Sequence, residues 1–252
     1  MTLLIDADLL IYSACSACEY DVKWDDTLHT LHLEEGDVKD FITMRVDRWQ
    51  ELVGDDQVVM CLSDYPSFRY DLLPQYKANR IGKRKPLGMQ DIRYWMQDQY
   101  ACGLIAGLEA DDVMGIFATN DTHPNPVIVS IDKDMRTVPC SLLAKDMVET
   151  VSQVAADRAW MRQTLTGDST DNYPGLKGVG PVTADKILGD ATTLPELWAR
   201  VVQAYQKGGL TWRDALLNAR MARILRHGDY DFDQSAVRLW EPAIEPRMTA
   251  NG

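Results

Sequence analysis

The sequence of 252 residues has only five cysteines and four histidines, and it contains no long apolar run. A small, odd number of cysteines argues against a disulfide framework and predicts reduced thiols. A bilayer-spanning helix needs about 20 apolar residues, and the best run, at 102–108, is far shorter. Residues 1–8 include two aspartates where a secretory signal would be basic, so we expect a cytoplasmic protein without a membrane segment.

Two common catalytic signatures are also missing. The sequence contains neither G-x-x-x-x-G-K-[ST], the phosphate-binding loop of many nucleotide hydrolases, nor G-x-S-x-G, the serine nucleophile motif. Nothing therefore supports nucleotide hydrolysis or a covalent serine intermediate.

Positive charge is scarce overall, because 26 lysines and arginines stand against 38 acidic residues, for a net charge of −12. Taken alone, this average argues against nucleic-acid binding. The window 69–93 is an exception with a net charge of +5. Its basic residues are Arg69, Lys77, Arg80, Lys83, Arg84, Lys85 and Arg93, against Asp71 and Asp91.

The apolar pattern predicts an α/β fold followed by a helical region. Short apolar runs at 2–6, 57–62 and 126–131 predict buried strands. Helical spacing predicts helices at 37–53, capped by Asp37, and at 89–107, with another beginning near Glu109. Residues 65–88 are irregular and basic. Strands that alternate with helices indicate a mainly parallel sheet. We expect an α/β domain over 1–155, and a helical region over 156–252 interrupted by a glycine-rich stretch at 167–180.

Carboxylates recur where predicted strands end. Asp6, Asp64 and Asp132 each follow one, and the carboxyl ends of parallel strands share an edge of the sheet. The other candidates occur in the helix start at 109–112, after Asp132, and in the glycine-rich stretch: Glu109, Asp111, Asp112, Asp134, Asp168 and Asp171. A single aspartate after a strand is more often a turn or cap residue, and we interpret Asp8 either as structural or as a residue that supports the ligands.

Gathering so many carboxylates requires cations, since like charges raise one another's pKa. Oxygen ligands without histidine or cysteine suit Mg²⁺ or Mn²⁺. Two such ions about 4 Å apart can clamp the attacking and leaving oxygens of a phosphodiester. The chemistry suggested is metal-assisted phosphodiester hydrolysis.

Five motifs in order resemble a known superfamily. They are LIDAD, DYPSFR followed by YKANR, LEADDV, SIDKD and GDSTDNYPGLKGVG. Together they are similar to the structure-specific 5′-nucleases, which include flap endonucleases and the 5′-nuclease domain of DNA polymerase I. The length and the ending HGDYDFD…VRLW look most like short bacteriophage 5′→3′ exonucleases. The resemblance implies a PIN-like sheet, a basic arch at about 65–100 and a helix-hairpin-helix turn.

The resemblance also implies the ligands of two divalent ions. All nine carboxylates match acidic positions of the family: Asp6, Asp64, Glu109, Asp111, Asp112, Asp132, Asp134, Asp168 and Asp171. The carboxylates between 109 and 134 would hold one ion more tightly. Asp168 and Asp171 would serve the second.

The basic window matches the base of the family's arch, through which a free 5′ end passes. Lys77 would supply a compact cation and Arg80 a two-pronged donor for the scissile phosphate. Tyr76 either stacks on a terminal base or packs in the core. Residues Lys83, Arg84 and Lys85 form either an electrostatic guide for DNA or a plain charged loop.

The stretch Gly175-Leu176-Lys177-Gly178-Val179-Gly180 resembles a helix-hairpin-helix turn. Glycines allow the backbone to approach a phosphate, and the N-terminus of the following helix offers free N–H groups. Such a turn holds duplex DNA without reading its sequence. In the family, the turn often also holds K⁺ through backbone carbonyls.

These observations predict a divalent-metal-dependent 5′→3′ exodeoxyribonuclease, with possible cleavage of 5′ flaps. Its substrate would be DNA with a 5′ end or flap, in the host cytoplasm if the protein is phage-encoded. The sequence does not indicate which proteins it contacts. Two alternatives stay open: a PIN-type endoribonuclease, and a DNA-binding scaffold that has lost catalysis.

Overall fold

A computed structural model describes residues 1–54 and 57–243. Residues 55, 56 and 244–252, which include the end of the predicted helical region, lie outside the described residues. In chain order, the strands are β1 (Thr2–Asp6), β2 (Tyr20–Lys23), β3 (His29–His32), β4 (Val58–Leu62), β5 (Ala101–Leu104), β6 (Pro126–Val129), β7 (Cys140–Ala144), β8 (Met147–Val151), β9 (Tyr230–Asp231) and β10 (Ala236–Val237).

Helices connect these strands and are the main elements of the described chain after β8. They are α1 (Ala7–Cys18), α2 (Glu35–Val53), α3 (Arg69–Leu72), α4 (Met89–Gln99), α5 (Ala110–Ala118), α6 (Gln153–Thr166), α7 (Pro181–Leu188), α8 (Leu194–Lys207) and α9 (Trp212–Met221). Short 3₁₀ turns occur at Ala78–Arg80, Lys133–Thr137 and His227–Asp229. Within residues 1–54 and 57–243, no helix combines the length and the apolar composition that a bilayer crossing demands.

The central sheet has the strand order β5-β4-β1-β6-β7-β8 within the described residues. Its pairs are parallel except for β7 with β8, which are antiparallel. The predicted mainly parallel sheet flanked by helices is therefore confirmed. Strand β1 lies in the middle, and the carboxyl ends of its neighbours β4 and β6 open at the same edge.

Apolar side chains on both faces explain why β1 is the central strand. Leu3 and Ile5 pack on one side with residues of α1, α2 and α4, and Leu4 packs on the other with α5. All three side chains are completely buried. A further apolar cluster surrounds Trp160 among α6, α7, α8 and α9.

The predicted helix at 89–107 is wrong in its second half. Helix α4 ends at Gln99, and β5 follows it and pairs with β4. Four residues are too few for apolar spacing to distinguish a strand from a helix. Gly103 marks the close approach of α5, because a Cβ there would lie 2.6 Å from the ring of Phe117.

Two smaller differences concern element ends, and a third concerns residues 65–88. Helix α2 begins at Glu35, so Asp37 lies in its first turn rather than at its cap. Strand β6 ends at Val129, and Ile131 is exposed. Residues 65–88, which the sequence predicts to be irregular, contain α3 and the 3₁₀ turn Ala78–Arg80. The glycine-rich stretch lies between α6 and α7, as expected.

Candidate active site

The edge of the sheet brings Asp6 and Asp132 together through Ser130. Asp6 ends β1 and caps α1, where Leu9 N–H donates to Oδ1 of Asp6 at 3.0 Å. The Ser130 hydroxyl donates to Oδ2 of Asp6 at 3.1 Å, and Asp132 N–H donates to the same hydroxyl at 3.1 Å. Ser130 thus links the carboxylate of Asp6 to the backbone of Asp132, which is more than 120 residues away in sequence, at the ends of neighbouring strands.

The start of α5 points toward the same edge. Glu109 stands at the N-cap, and Ala110 N–H donates at 2.9 Å to the hydroxyl of Ser63, which follows β4. Asp64 accepts a hydrogen bond from Gly107 N–H at 2.9 Å. The residues that follow β4 therefore fix the loop that leads into α5.

Four carboxylates, which we call the acidic cluster, have no basic side chain paired with them within the described residues: Asp6, Asp111, Asp132 and Asp134. Burial raises the pKa of Asp6 to about 6, aided by the charges of Asp8 and Asp132. Burial and the charges of Asp6 and Asp132 raise the pKa of Asp111 well above its usual value. Burial and Asp132 also raise the pKa of Asp134 to about 6.

A second group of carboxylates is already neutralised by cations from the basic window. We call these carboxylates and their partners the ion-pair network. The acids are Glu109, Asp112 and Asp171, and the partners are Arg69, Tyr76, Lys77 and Arg80. Burial opposes the charge of Glu109, but Arg69 and Lys77 outweigh it and hold the pKa of Glu109 below its usual value. The nine candidate ligands thus differ in their charge balance.

Lys77 and Arg80 both bind carboxylates of the network. The Lys77 ammonium contacts Glu109 and lies 3.9 Å from Asp171, and Arg80 pairs with Asp171. Burial disfavours charge on Lys77, but its two acidic neighbours raise its pKa above the usual value. Lys77 is therefore cationic, and both side chains lie beside acids of the site.

Tyr76 packs in the core, so the stacking alternative does not hold. Its ring is 2% exposed and contributes to the apolar cluster around Trp160. Its hydroxyl donates to Glu109 at 2.8 Å or to Asp171 at 3.0 Å. A ring enclosed in this way cannot present a face to a DNA base.

The segment 83–85 is exposed, and its three basic residues differ. Arg84 makes a two-pronged ion pair with Glu19, at 2.6 and 3.0 Å. Lys83 and Lys85 have no ion-pair partner in the described part of the chain. Arg84 therefore anchors the segment to the end of α1, and the two lysines remain available to an anion.

The glycine-rich stretch folds back on itself and contacts the basic window. Asp168 and Tyr173 exchange backbone hydrogen bonds, and Asp168 Oδ1 accepts from Thr170 N–H at 2.6 Å. Lys77 N–H donates to the carbonyl of Asp171 at 3.0 Å. The carboxylates of this stretch are thereby held against the ion-pair network.

The glycines of this stretch serve two different purposes. Gly175 has φ +61°, and a Cβ there would lie 2.2 Å from the backbone nitrogen of Gly167. Gly178 has φ +81° but faces open space. Gly180 caps α7, with Pro181 in the first turn, and Lys177 is exposed beside it. Free N–H groups at this helix start face solvent.

No three carboxylates, histidines or thiols among residues 1–54 and 57–243 form a ready-made metal cage. This geometry does not exclude every hard cation, since Mg²⁺ usually keeps several waters and binds through one or two carboxylates. The oxygen-only donors of the acidic cluster and its unbalanced charge both suit such an ion.

Sequence reasoning missed several residues of the site. The sequence places Arg69 only within a basic window, yet its side chain is 5% exposed and binds two acids. Ser63 and Ser130 were not predicted, although each follows a strand as the candidate aspartates do. No pattern in the sequence indicates that residues 221–227 contact α5.

Comparison with known proteins identifies the family. The model of the 5′-3′ exonuclease N-terminal resolvase-like domain matches residues 1–166, so the chain belongs to this family. It is an enzyme of the 5′→3′ nuclease type, related to phage exonucleases and flap endonucleases.

Two phage proteins are similar along nearly the whole chain. The exonuclease of Escherichia phage T7 is 28% identical, with 95% of this chain and 93% of that protein covered. The exodeoxyribonuclease of Enterobacteria phage T3 is 29% identical, with 95% and 92% covered. A structure of the bacteriophage T5 flap endonuclease with DNA and metal ions superposes with a TM-score of 0.63. It is 12% identical, covers 88% of this chain and 89% of its own, and shows that the fold is shared.

Proposed function

We propose that the chain is a divalent-cation-dependent 5′→3′ exodeoxyribonuclease that also cleaves 5′ flaps. One observation carries the proposal: burial and neighbouring acids raise the pKa of Asp6, Asp111 and Asp134, and these carboxylates have no ion-pair partner among the described residues. Lys77 and Arg80 lie beside the neighbouring acids Glu109 and Asp171. A site that pairs uncompensated acids with neighbouring cations suits a phosphodiester held through hard metal ions.

The acidic cluster would hold the first ion, and Asp168 and Asp171 the second. When bound, Mg²⁺ or Mn²⁺ would activate water for attack and offset charge on the phosphate oxygens. The similar T5 protein has a structure with metal ions, which supports metal dependence. Asp64 accepts a hydrogen bond from Gly107 N–H and would hold the loop before α5 in place.

Lys77 and Arg80 would hold the scissile phosphate. Each now pairs with a carboxylate, and an incoming phosphate would compete for the same donors. Their positive charge would oppose the negative charge that develops on the phosphate oxygens. Exposed Lys83 and Lys85 would guide the strand toward them.

We propose a division of work between the two parts of the chain. Residues 1–155 would carry the chemistry, and the helical region 156–252 would hold the duplex. Gly175, Lys177, Gly178 and Gly180 would form a helix-hairpin-helix turn, whose α7 N–H groups bind a DNA phosphate and whose carbonyls bind K⁺. DNA in the similar T5 structure supports DNA as the substrate. The enzyme would act in the host cytoplasm if it is encoded by a phage.

The test compares Asp132→Asn with the unaltered enzyme on 5′-labelled duplex DNA in Mg²⁺. Asn keeps the size of the side chain but removes one charge of the acidic cluster. We expect cleavage to fall by about 100-fold or more, on the scale of a lost transition-state interaction. EDTA should abolish cleavage by both proteins. The control is Asp146→Asn, an exposed acid in the turn between β7 and β8.

Each rival interpretation predicts a different result. Preferential internal cleavage of an RNA with the same structure would favour a PIN-type endoribonuclease. Duplex binding without cleavage in Mg²⁺ or Mn²⁺ would favour the scaffold. Undiminished cleavage by Asp132→Asn would refute the metal site. A substrate with a 5′ flap, assayed in parallel, measures flap cleavage against exonuclease action.

A further inference from the structure

Arg69 uses all of its hydrogen-bonding capacity inside the protein. An arginine has five N–H donors. Its Nε donates to the carbonyl of Met221 at 3.3 Å, and Nη2 donates to the carbonyl of Arg223 at 2.7 Å. The other three bonds reach Glu109 at 3.0 Å and both oxygens of Asp112 at 2.6 and 2.8 Å. The guanidinium therefore joins the start of α5 to residues 221–227, which we call the strap.

Asp112 is equally saturated. Besides both bonds from Arg69, its Oδ1 accepts from Leu225 N–H at 3.1 Å and its Oδ2 from Glu109 N–H at 3.3 Å. An ionised carboxylate has about four acceptor positions, and four donors occupy them here. The side chain is fully buried, with 0% exposed. A metal ion could reach Asp112 only by displacing Arg69 or the strap.

Asp111, the next residue, is in the opposite situation. It is half-buried, and no hydrogen bond or ion pair reaches its carboxylate from the residues that the structure describes. Its electrostatic neighbours include Asp6 and Asp132, both acids. Two adjacent aspartates that look equivalent in sequence thus have different surroundings.

We infer that Asp112 is not a metal ligand but, with Arg69, a positioning residue that clamps the start of α5 to the strap and so places Glu109 and Asp111. The inference rests on the metal site proposed above. It departs from the assignment that the resemblance implied, in which Asp112 binds metal with the others.

The strap supports this interpretation because it follows α5 beyond Asp112. His227 N–H donates to the hydroxyl of Thr119 at 2.8 Å, just past the end of the helix. Midway, a Cβ on Gly115 would lie 2.3 Å from the carbonyl oxygen of Leu225, so only glycine allows this approach. The clamp at Arg69 therefore fixes one end of a contact that runs the length of α5.

The first experiment compares Asp111→Asn with Asp112→Asn in the full chain. Mn²⁺ binding to EDTA-treated, dialysed protein is measured by calorimetry, and unfolding temperature is measured in EDTA. We expect the loss of Mn²⁺ affinity in Asp111→Asn to be at least about tenfold larger than the loss in Asp112→Asn. The unfolding temperature of Asp111→Asn should not be lower than that of the unaltered protein. We expect Asp112→Asn to unfold at a lower temperature, because the Asn amide cannot accept from both prongs of Arg69.

The outcomes separate this inference from the proposed function. If Asp112→Asn weakens Mn²⁺ binding as much as Asp111→Asn and unfolds at the unaltered temperature, Asp112 is a ligand and the inference is wrong. If Asp111→Asn binds Mn²⁺ normally, the proposed metal site is wrong instead.

Arg69→Lys tests positioning without removing the charge, and it serves if Asp112→Asn does not fold. An ammonium cannot span both carboxylates and two carbonyls as the planar guanidinium does. Well below the unfolding temperature, we expect kcat per folded molecule to fall by about 10- to 100-fold through misplacement of the acids. The Mg²⁺ concentration for half-maximal rate should stay within about twofold, since no ligand is removed.

Arg238→Lys is the matched control, because Arg238 also pairs with an aspartate but lies on the surface. An unchanged kcat in Arg69→Lys would reduce Arg69 to a structural role and overturn the inference. A large shift in the Mg²⁺ requirement at constant kcat would overturn it as well, because the pair would then act on metal binding rather than on placement.

Discussion

Burial, and to a smaller extent the charge of neighbouring acids, makes Asp6 and Asp134 hold protons unusually tightly. The pKa of each is raised from 3.8 to about 6. Between these values the folded protein binds a proton that the unfolded chain has released, so stability falls as pH rises through this window. In EDTA, the protein should therefore be less stable at about pH 7.5 than at about pH 5. Urea unfolding at both values measures the difference.

Asp6→Asn isolates one of these groups. Asn still caps α1 and still accepts from Leu9 N–H, but it carries no charge to repel Asp8 and Asp132. At pH 7.5 in EDTA, we expect this variant to gain on the order of 1–2 kcal/mol and to show a flatter pH profile. If the stability of the two proteins changes equally with pH, protonation of Asp6 does not contribute to the pH dependence and the prediction is wrong.

At the scale of the element, the loop between α6 and α7 depends on two glycines in contact. Gly175→Ala would force a Cβ to within 2.2 Å of the Gly167 backbone and keep φ at +61°. We expect it to destabilise the fold by about 3 kcal/mol or more. Gly178→Ala, with positive φ but open space around it, should cost only about 1 kcal/mol. Urea denaturation of both variants tests this difference; equal destabilisation would contradict it.

Elements with strong patterns were predictable from the sequence, and short ones were not. The runs that became β1, β4 and β6 are apolar on both faces, which is typical of strands buried in a parallel sheet. Strand β5 has four residues directly after a helix, and its identity depends on pairing with β4. Pairing with a distant strand leaves no local signal.

The position of the candidate site in the fold was also predictable from the sequence. Strand ends indicated that Asp6 and Asp132 would meet, because topology alone brings them to one edge. Charge balance was not predictable, since Asp111 and Asp112 differ only in which face of α5 they occupy. Arg69 becomes the partner of Asp112 through a contact between residues 43 positions apart.

Across the whole molecule, a net charge of −12 leaves few places where DNA can approach. Association should therefore depend on the exposed lysines at 83 and 85. Removing one lysine that binds a phosphate should reduce the slope of log affinity against log salt by about 1. We expect the double variant Lys83→Gln, Lys85→Gln to lower the slope by about 2, measured by fluorescence anisotropy with labelled duplex in Ca²⁺.

The control for this experiment is Lys39→Gln, because Lys39 on α2 pairs with Glu35. It should leave the salt slope unchanged. A double variant with the unaltered slope would show that the segment 83–85 is a plain charged loop, the alternative left open by its sequence.

The strap also has a consequence for how the protein is made. Two carbonyls that Arg69 binds lie 152 and 154 residues further along the chain, and the Leu225 N–H that Asp112 binds lies 113 residues beyond it. During translation, the sheet and α5 emerge well before these partners exist. The nascent polypeptide therefore cannot form the contact between Arg69, Asp112 and the strap until residues 221–225 have been synthesised.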